Sequence, residues 1–241
     1  MSRNILVIGH SHIEAIRRAA VARREADPER PRTRTIYVLD PVFGDCRERF
    51  TDALKNAILD QIARHNPIIA STIRGNGHAA MSLIQRRRID FAIDGGGSIP
   101  LDEQAEIITE GEARNELLPW LAADLRELAA LRELVGPYWH LESPPPVRRA
   151  DWIIEHAESF FRDDPDFARL GVSQAGFRYR IWLLANKIIK ERLNELGCGY
   201  VPVPSHVRGE AGLLRPSHGR DATHGNQQFG EAMIQALEQV A

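Results

Sequence analysis

The sequence predicts a three-layer α/β/α fold around a mostly parallel sheet, and three observations carry that prediction. Strand-length apolar runs alternate with segments of helical periodicity, the pattern of an α/β domain. The first run, Asn4-Ile-Leu-Val-Ile-Gly9, is apolar throughout, as a strand covered on both faces must be. Polar, glycine-containing residues collect where the runs stop, which is where an open parallel sheet gathers its ligands. A chain of 241 residues is long enough for one large domain or one domain with an insertion, and a single domain is expected.

Each element has its own signal. From His12 to about Ala26, Ile13, Ile16, Ala19, Ala20 and Val21 recur at helical spacing, so a helix follows the first strand directly. Thr35-Ile-Tyr-Val-Leu-Asp40 reads as a second strand, Phe50 to His65 as a helix and Pro67-Ile-Ile-Ala-Ser-Thr-Ile73 as a third strand. A helix from about His78 to Gln85 comes next, and Ile89-Asp-Phe-Ala-Ile93 adds a short strand before the Gly95-Gly-Gly97 break. There the alternation stops. Residues from about 95 to 134 read as an insertion, with a helix from about Leu118 to Leu134 that carries Leu121, Leu125, Leu128 and Leu131 on one stripe. Such a stripe is a core-packing pattern.

Tyr138-Trp-His-Leu-Glu142 reads as a fourth strand, halted by Pro144, Pro145 and Pro146, which cannot extend a sheet ladder. Helices are expected at about Asp151 to Phe161 and Gln174 to Leu196. Gly199-Tyr-Val-Pro-Val203 supplies a fifth strand, placed by Pro202 and Pro204 at the edge or end of the sheet. A polar loop from about Ser205 to Gly225 leads to a last helix, where Phe229, Met233, Ala236 and Leu237 share a face.

Composition narrows the function. With 31 basic and 33 acidic side chains the formal net charge is -2, so nothing asks for nucleic acid. The run Arg86, Arg87, Arg88 reads as a solvated helix end, where cations complement the helix dipole. Cys46 and Cys198 lack CxxC spacing and are expected as buried free thiols. No stretch approaches eighteen consecutive apolar residues and no basic leader opens the chain, so no membrane span is indicated and a cytoplasmic, soluble protein is expected.

Four polar clusters stand at strand ends: Gly9-His-Ser-His12, Asp40-Pro-Val-Phe-Gly44, Arg74-Gly-Asn-Gly-His78 and, in the last long loop, Asp221-Ala-Thr-His224. On these residues the sequence resembles, over nearly its whole length, the SGNH (GDSL-like) hydrolases, a family of esterases, thioesterases, lipases and carbohydrate deacetylases. The resemblance implies a flavodoxin-like five-stranded sheet of order 2-1-3-4-5. It also implies Ser11 as nucleophile, Asp221 and His224 as its partners, and an oxyanion hole from the Ser11 N–H, the Gly44 N–H and the Asn76 amide. Two positions depart from the family pattern: His10 stands where an aspartate is usual, and Asn76 follows Gly75 directly.

The same roles follow from the chemistry. A serine hydroxyl attacks only when an imidazole can take its proton, and the imidazole needs a third group to orient it. Ser11 also opens a helix, so its N–H and the positive end of that helix face a developing oxyanion. Taken singly, each piece has an ordinary meaning: a serine before a helix is a common N-cap, and a Gly-Asn pair is a common turn. The leading expectation is a serine esterase or a carbohydrate or metabolite deacetylase working through an acyl-enzyme on a small-molecule or glycan ester. It needs no cofactor and no metal. His12, Arg74, His78 and Arg215 are further candidates to line the pocket, whose shape should come from the 95 to 134 insertion and the loop from Pro144 to Arg149.

Two other readings stand beside it. His10-Ser-His12 has the His-x-His spacing of a metal pair, which His78, His206 or Asp221 could complete in a metal-dependent hydrolase. Alternatively, the chain is a non-catalytic binding or accessory protein on an SGNH-like fold, since fold does not dictate activity. The oligomeric state stays open.

Overall fold

The computed structural model describes residues 3–46, 49–73, 75–96 and 99–241. Strand β1 (Ile5–Gly9) runs into α1 (Ile13–Ala26), followed by β2 (Thr33–Tyr37), α2 (Asp52–His65), β3 (Ile68–Thr72) and α3 (Gly77–Ser82). The inserted part holds β4 (Ile89–Asp90), β5 (Glu106–Ile107) and α4 (Glu110–Val135). The chain then returns through β6 (Trp139–Leu141), α5 (Ala150–His156), α6 (Ser159–Arg162), α7 (Pro165–Leu170), α8 (Ala175–Glu195), β7 (Gly199–Val201) and α9 (Gln227–Val240).

The main sheet is parallel throughout and ordered β2-β1-β3-β6-β7. Counting only these five strands along the chain, this is the expected 2-1-3-4-5. Alternation along β1 accounts for the two covering layers, because successive side chains of a strand point to opposite faces. Ile5 and Val7 pack with Ile13 and Ile16 of α1 and with Phe229, Met233 and Leu237 of α9. Leu6 and Ile8 face the other way, onto Leu54 and Ile58 of α2, Leu128 and Leu131 of α4, and Ile189 and Leu193 of α8. All four β1 side chains are essentially fully buried, each worth about 1.5–3 kcal/mol relative to exposure. β1 ends on Gly9 for a steric reason: a Cβ there would meet the Thr72 carbonyl oxygen at 2.7 Å and its Oγ1 at 2.0 Å.

Several boundaries differ from the sequence expectation, each with a local cause. β2 stops at Tyr37, because Asp40 accepts the Val42 N–H and Pro41 opens a 3₁₀ turn. The inserted helix begins at Glu110, eight residues before Leu118, since Thr109 and Glu112 form a reciprocal capping box; Pro119 then lies inside the helix. The short strand near Ile89 exists, but it pairs with β5 in a separate two-stranded ribbon. The helix expected over 151 to 161 breaks at Ala157 and Glu158, whose backbones are extended, and this break carries Glu158 toward the last loop. Residues 165 to 170, to which the sequence assigns no element, form α7 behind the Asp164 cap.

Other expectations meet the packing directly. Leu121, Leu128 and Leu131 of the leucine stripe are buried in the core, and Cys46 and Cys198 are buried free thiols. Arg86, Arg87 and Arg88 do not end a helix, since α3 stops at Ser82. They pair instead with Asp164, with Glu116 and Glu106, and with Asp102, tying the inserted ribbon and α7 to the segment after α3. Among the described residues no helix is long and apolar enough to cross a membrane.

Two buried histidines make the fold sensitive to acid. Burial holds His78 and His140 down to about 4, against an ordinary value of 6.5. The unfolded chain therefore binds protons that the folded chain refuses between those limits, and stability must fall as pH drops through that window. Melting temperature measured by calorimetry should decrease from about pH 6.5 to pH 5, where exposed carboxylates remain ionised. A flat profile there would contradict the assignment.

Candidate functional site

The carboxyl ends of β1 and β3 and the loop before α9 converge on one cluster. At the end of β1, His10 N–H donates to the Thr72 carbonyl, and the first N–H groups of α1 are taken by the carbonyls of His10 and Ser11. The helix start therefore does not need the Ser11 hydroxyl: its N-cap position is His12, with no side-chain capping bond. Ser11 Oγ stands 2.7 Å from His224 Nε2 instead. The ordinary N-cap role of such a serine is not the one observed.

His224 is held from its other side. Its Nδ1 lies 2.9 Å from Asp221 Oδ1, and the same oxygen accepts the His224 backbone N–H at 2.8 Å. Thr223 N–H donates to it as well, at 3.0 Å, so the Asp221 carboxylate is clamped by its own loop. A second carboxylate, Glu158, pairs with His224 Nδ1 and accepts the Thr223 hydroxyl at 3.2 Å. Carboxylates only accept, so Nδ1 carries the proton and Nε2 turns its lone pair to Ser11.

The charges follow from this geometry. Burial alone pushes His224 down, but Asp221 and Glu158 outweigh it and raise the imidazole to about 8. For Asp221 burial pushes upward, and the His224 imidazole with the Thr223 and His224 N–H groups overturns that and holds it well below the usual carboxylate range. Because the folded value of His224 is raised, its pairing stabilises the fold fully below about pH 6.5 and is lost as pH rises through about 8. The neutral form that can take a proton appears over the same upper range.

Asn76 comes from the other side of β1. Gly75, at φ +87°, turns the chain after β3, and a Cβ there would crowd His12 Cδ2 and Ser143 Cβ, both at 3.1 Å. Asn76 occupies the N-cap position of α3 without capping it. Its Oδ1 lies 2.9 Å from His12 Nε2, and its Nδ2 lies 3.4 Å from His224 Nε2. Burial, and then the neighbouring His224 and His78, hold His12 well below its ordinary value. Neutral His12 thus donates from Nε2 to Asn76 Oδ1 and turns the Asn76 N–H₂ toward His224.

Other expected site residues lie elsewhere. The Gly44 N–H is committed to the Pro41 carbonyl at 3.1 Å within the turn after β2, so it is not available as an oxyanion donor. Arg74 lies outside the described residues. His78 is buried at the start of α3 and forms no hydrogen bond with Ser11 or His224 among the described residues, and Arg215 is exposed and donates to the Arg208 carbonyl. His10, in place of the usual acid, turns away to Glu127 of α4, with Nε2 3.5 Å from Oε2.

That orientation separates His10 from His12, which faces Asn76. Among the described residues, the one group of three possible metal-ligating side chains is Glu158, Asp221 and His224, and these already hold one another. His206 lies against His218, with ring centroids 6.4 Å apart. The His-x-His metal site expected from spacing is therefore not assembled, because adjacent turn residues send their side chains to opposite neighbours. The inserted helix does not border the cleft that Val147, Arg148 and Arg149 help to form. This largely apolar cleft of 360 Å³ lies between segments that follow β6 and β7, bounded by Val147, Arg149, Trp152, Leu213, Leu214 and Arg215.

Glu158 is the site residue that sequence reasoning missed. It sits in a segment whose pattern reads as continuous helix, and only the break at Ala157 gives a signal, visible in the backbone alone.

No protein-family model and no curated protein matches the chain. Solved structures do, at low identity. An extracellular lipase from Streptomyces rimosus is 12% identical, with 100% of each chain covered and a TM-score of 0.45. A GDSL-like lipase from Bacteroides thetaiotaomicron is 11% identical over 98% of this chain and 88% of that one, with a TM-score of 0.44. An acetylxylan esterase from Geobacillus stearothermophilus is 12% identical over 98% and 93%, with a TM-score of 0.41.

Proposed function

We propose that the protein is a serine hydrolase of the SGNH (GDSL-like) kind, cleaving a carboxylic ester of a small molecule or glycan through an acyl-enzyme on Ser11. The observation that carries this reading is the unbroken chain from Ser11 Oγ through His224 Nε2, at 2.7 Å, and Nδ1 to Asp221 Oδ1, at 2.9 Å. A serine with an ordinary capping role would not be turned out of its helix to meet a histidine so held.

In the first half-reaction His224 Nε2 takes the Ser11 proton while Oγ bonds to the ester carbon. The carbonyl oxygen gains the negative charge between the Ser11 N–H, at the positive end of α1, and the Asn76 N–H₂. Collapse breaks the bond to the alkoxy oxygen, which leaves as the alcohol with the proton from His224. Water then repeats the sequence on the acyl-enzyme, releasing the acid and restoring Ser11.

A fluorophosphonate probe tests this without knowledge of the substrate. Wild type should gain one adduct, located on Ser11 by peptide mass spectrometry, and His224→Ala should gain none. A folded wild type that remains unmodified would favour the non-catalytic binding reading.

A further inference from the structure

We propose that two carboxylates divide the work on His224: Asp221 fixes the ring's orientation, and Glu158 supplies the net negative charge that faces the imidazolium. The inference rests on the reading of His224 as the base for Ser11 and names a positioning residue that the Ser-His-Asp description does not contain.

Asp221 is bound into its loop through Oδ1, and its other oxygen, Oδ2, receives Arg220 Nε at 2.8 Å. Arg220 thus draws on the charge of Asp221 from the side away from the loop N–H groups. Glu158 pairs with the same Nδ1, and no lysine or arginine reaches it among the described residues. Its remaining hydrogen bonds come from the Thr223 hydroxyl, at 3.2 and 3.3 Å. Glu158 is therefore the carboxylate at the ring whose charge no cation shares among the described residues.

The other groups facing His224 do not alter this. Ser11 and Asn76 are neutral. His12, with its ring centroid 4.8 Å away, is kept neutral by burial and by its neighbours, and His78, one of those neighbours, is itself neutral above about 4. The ring is buried, with its side chain 7% exposed, whereas Glu158 is 29% exposed. The attraction therefore acts through a partly desolvated path, where one unit charge counts for far more than it would in open water.

The two carboxylates should then fail differently. Asp221→Ala removes the orienting acceptor, whereas Glu158→Gln keeps the shape and removes only the charge. The full chain labelled with ¹⁵N-histidine, with His224 assigned from a His224→Gln spectrum, reads the ring directly by NMR titration. In wild type the His224 midpoint is expected near 8. Glu158→Gln should lower it by roughly one unit or more, the effect of removing an opposite charge at contact distance, and Arg220→Gln should raise it. The acid limb of kcat/KM for p-nitrophenyl acetate should move down with Glu158→Gln by the same amount, a shift that a merely structural contact would not produce. Thr223→Val, which releases Glu158 without touching its charge, provides a second route if Glu158→Gln does not fold, and it should move the midpoint in the same direction.

An unmoved midpoint in folded Glu158→Gln, or in Thr223→Val where the first variant is unfolded, overturns the proposal. So does an unmoved midpoint in Arg220→Gln. The titration does not depend on turnover: an unreactive Ser11 with a shifted His224 would refute the hydrolase reading alone, and a reactive Ser11 with an unshifted His224 would refute the role of Glu158 alone.

Discussion

Ser11→Ala is expected to lower kcat/KM for p-nitrophenyl acetate by about 10⁴–10⁶, the range over which loss of a serine nucleophile acts when histidine and oxyanion donors remain. The residual rate belongs to water activated in the same pocket. Because the first N–H groups of α1 are satisfied by backbone carbonyls and not by the Ser11 hydroxyl, the substitution should not uncap the helix. Its effect on stability should stay within about 1 kcal/mol, the usual net worth of one hydrogen bond. The two readouts must therefore separate: turnover collapses while the melting temperature hardly moves. If turnover persists in Ser11→Ala, the nucleophile is another group. If both readouts fall together, Ser11 is structural.

The largest effect on stability is expected far from Ser11. Arg180 of α8 and Asp90 of β4 form a two-pronged pair whose side chains are 3% and 1% exposed. Arg180 Nη1 also donates to the Ile99 carbonyl, and the Asp90 carboxylate accepts the Phe91 and Asp102 N–H groups, both at 2.9 Å. This one pair ties the inserted ribbon to the long helix of the main fold. Arg180→Leu would leave the Asp90 charge buried without a counter-ion, a loss of about 3–5 kcal/mol. For a chain of this size that corresponds to a fall in melting temperature of roughly 6–20 °C. Asp90→Leu combined with Arg180→Leu should recover most of the loss, since replacing both partners of a buried pair by apolar groups is often neutral. A scanning calorimetry series of wild type, single and double variants checks the sign of both steps.

Much of this molecule can be read along the chain because the relevant signals are local. An apolar run closed by Gly9, helical periodicity from Ile13, and the prolines after Glu142 and at Pro202 place strands and helices, and right-handed parallel crossovers leave few sheet orders open. The places where the reading slipped were governed by single interactions. The Thr109 and Glu112 capping box moved a helix start by two turns, and the turn capped by Asp40 shortened a strand. A tandem of extended residues at Ala157 and Glu158 split a helix in two.

The site divides along the same line. That Ser11, Asn76, Asp221 and His224 would lie at loop ends on one edge of the sheet was already a property of the sequence, because polarity at the end of an apolar strand is written residue by residue. Where each side chain points was decided only by the tertiary structure. His10 and His12 are two residues apart, yet one meets Glu127 and the other Asn76. The Gly44 N–H closes its own turn, and Glu158, 66 residues before His224, reaches the same imidazole as Asp221. Direction depends on which rotamer the neighbouring elements leave open and on which partner satisfies a buried polar atom. Those neighbours are distant in the chain and become adjacent only when the layers close.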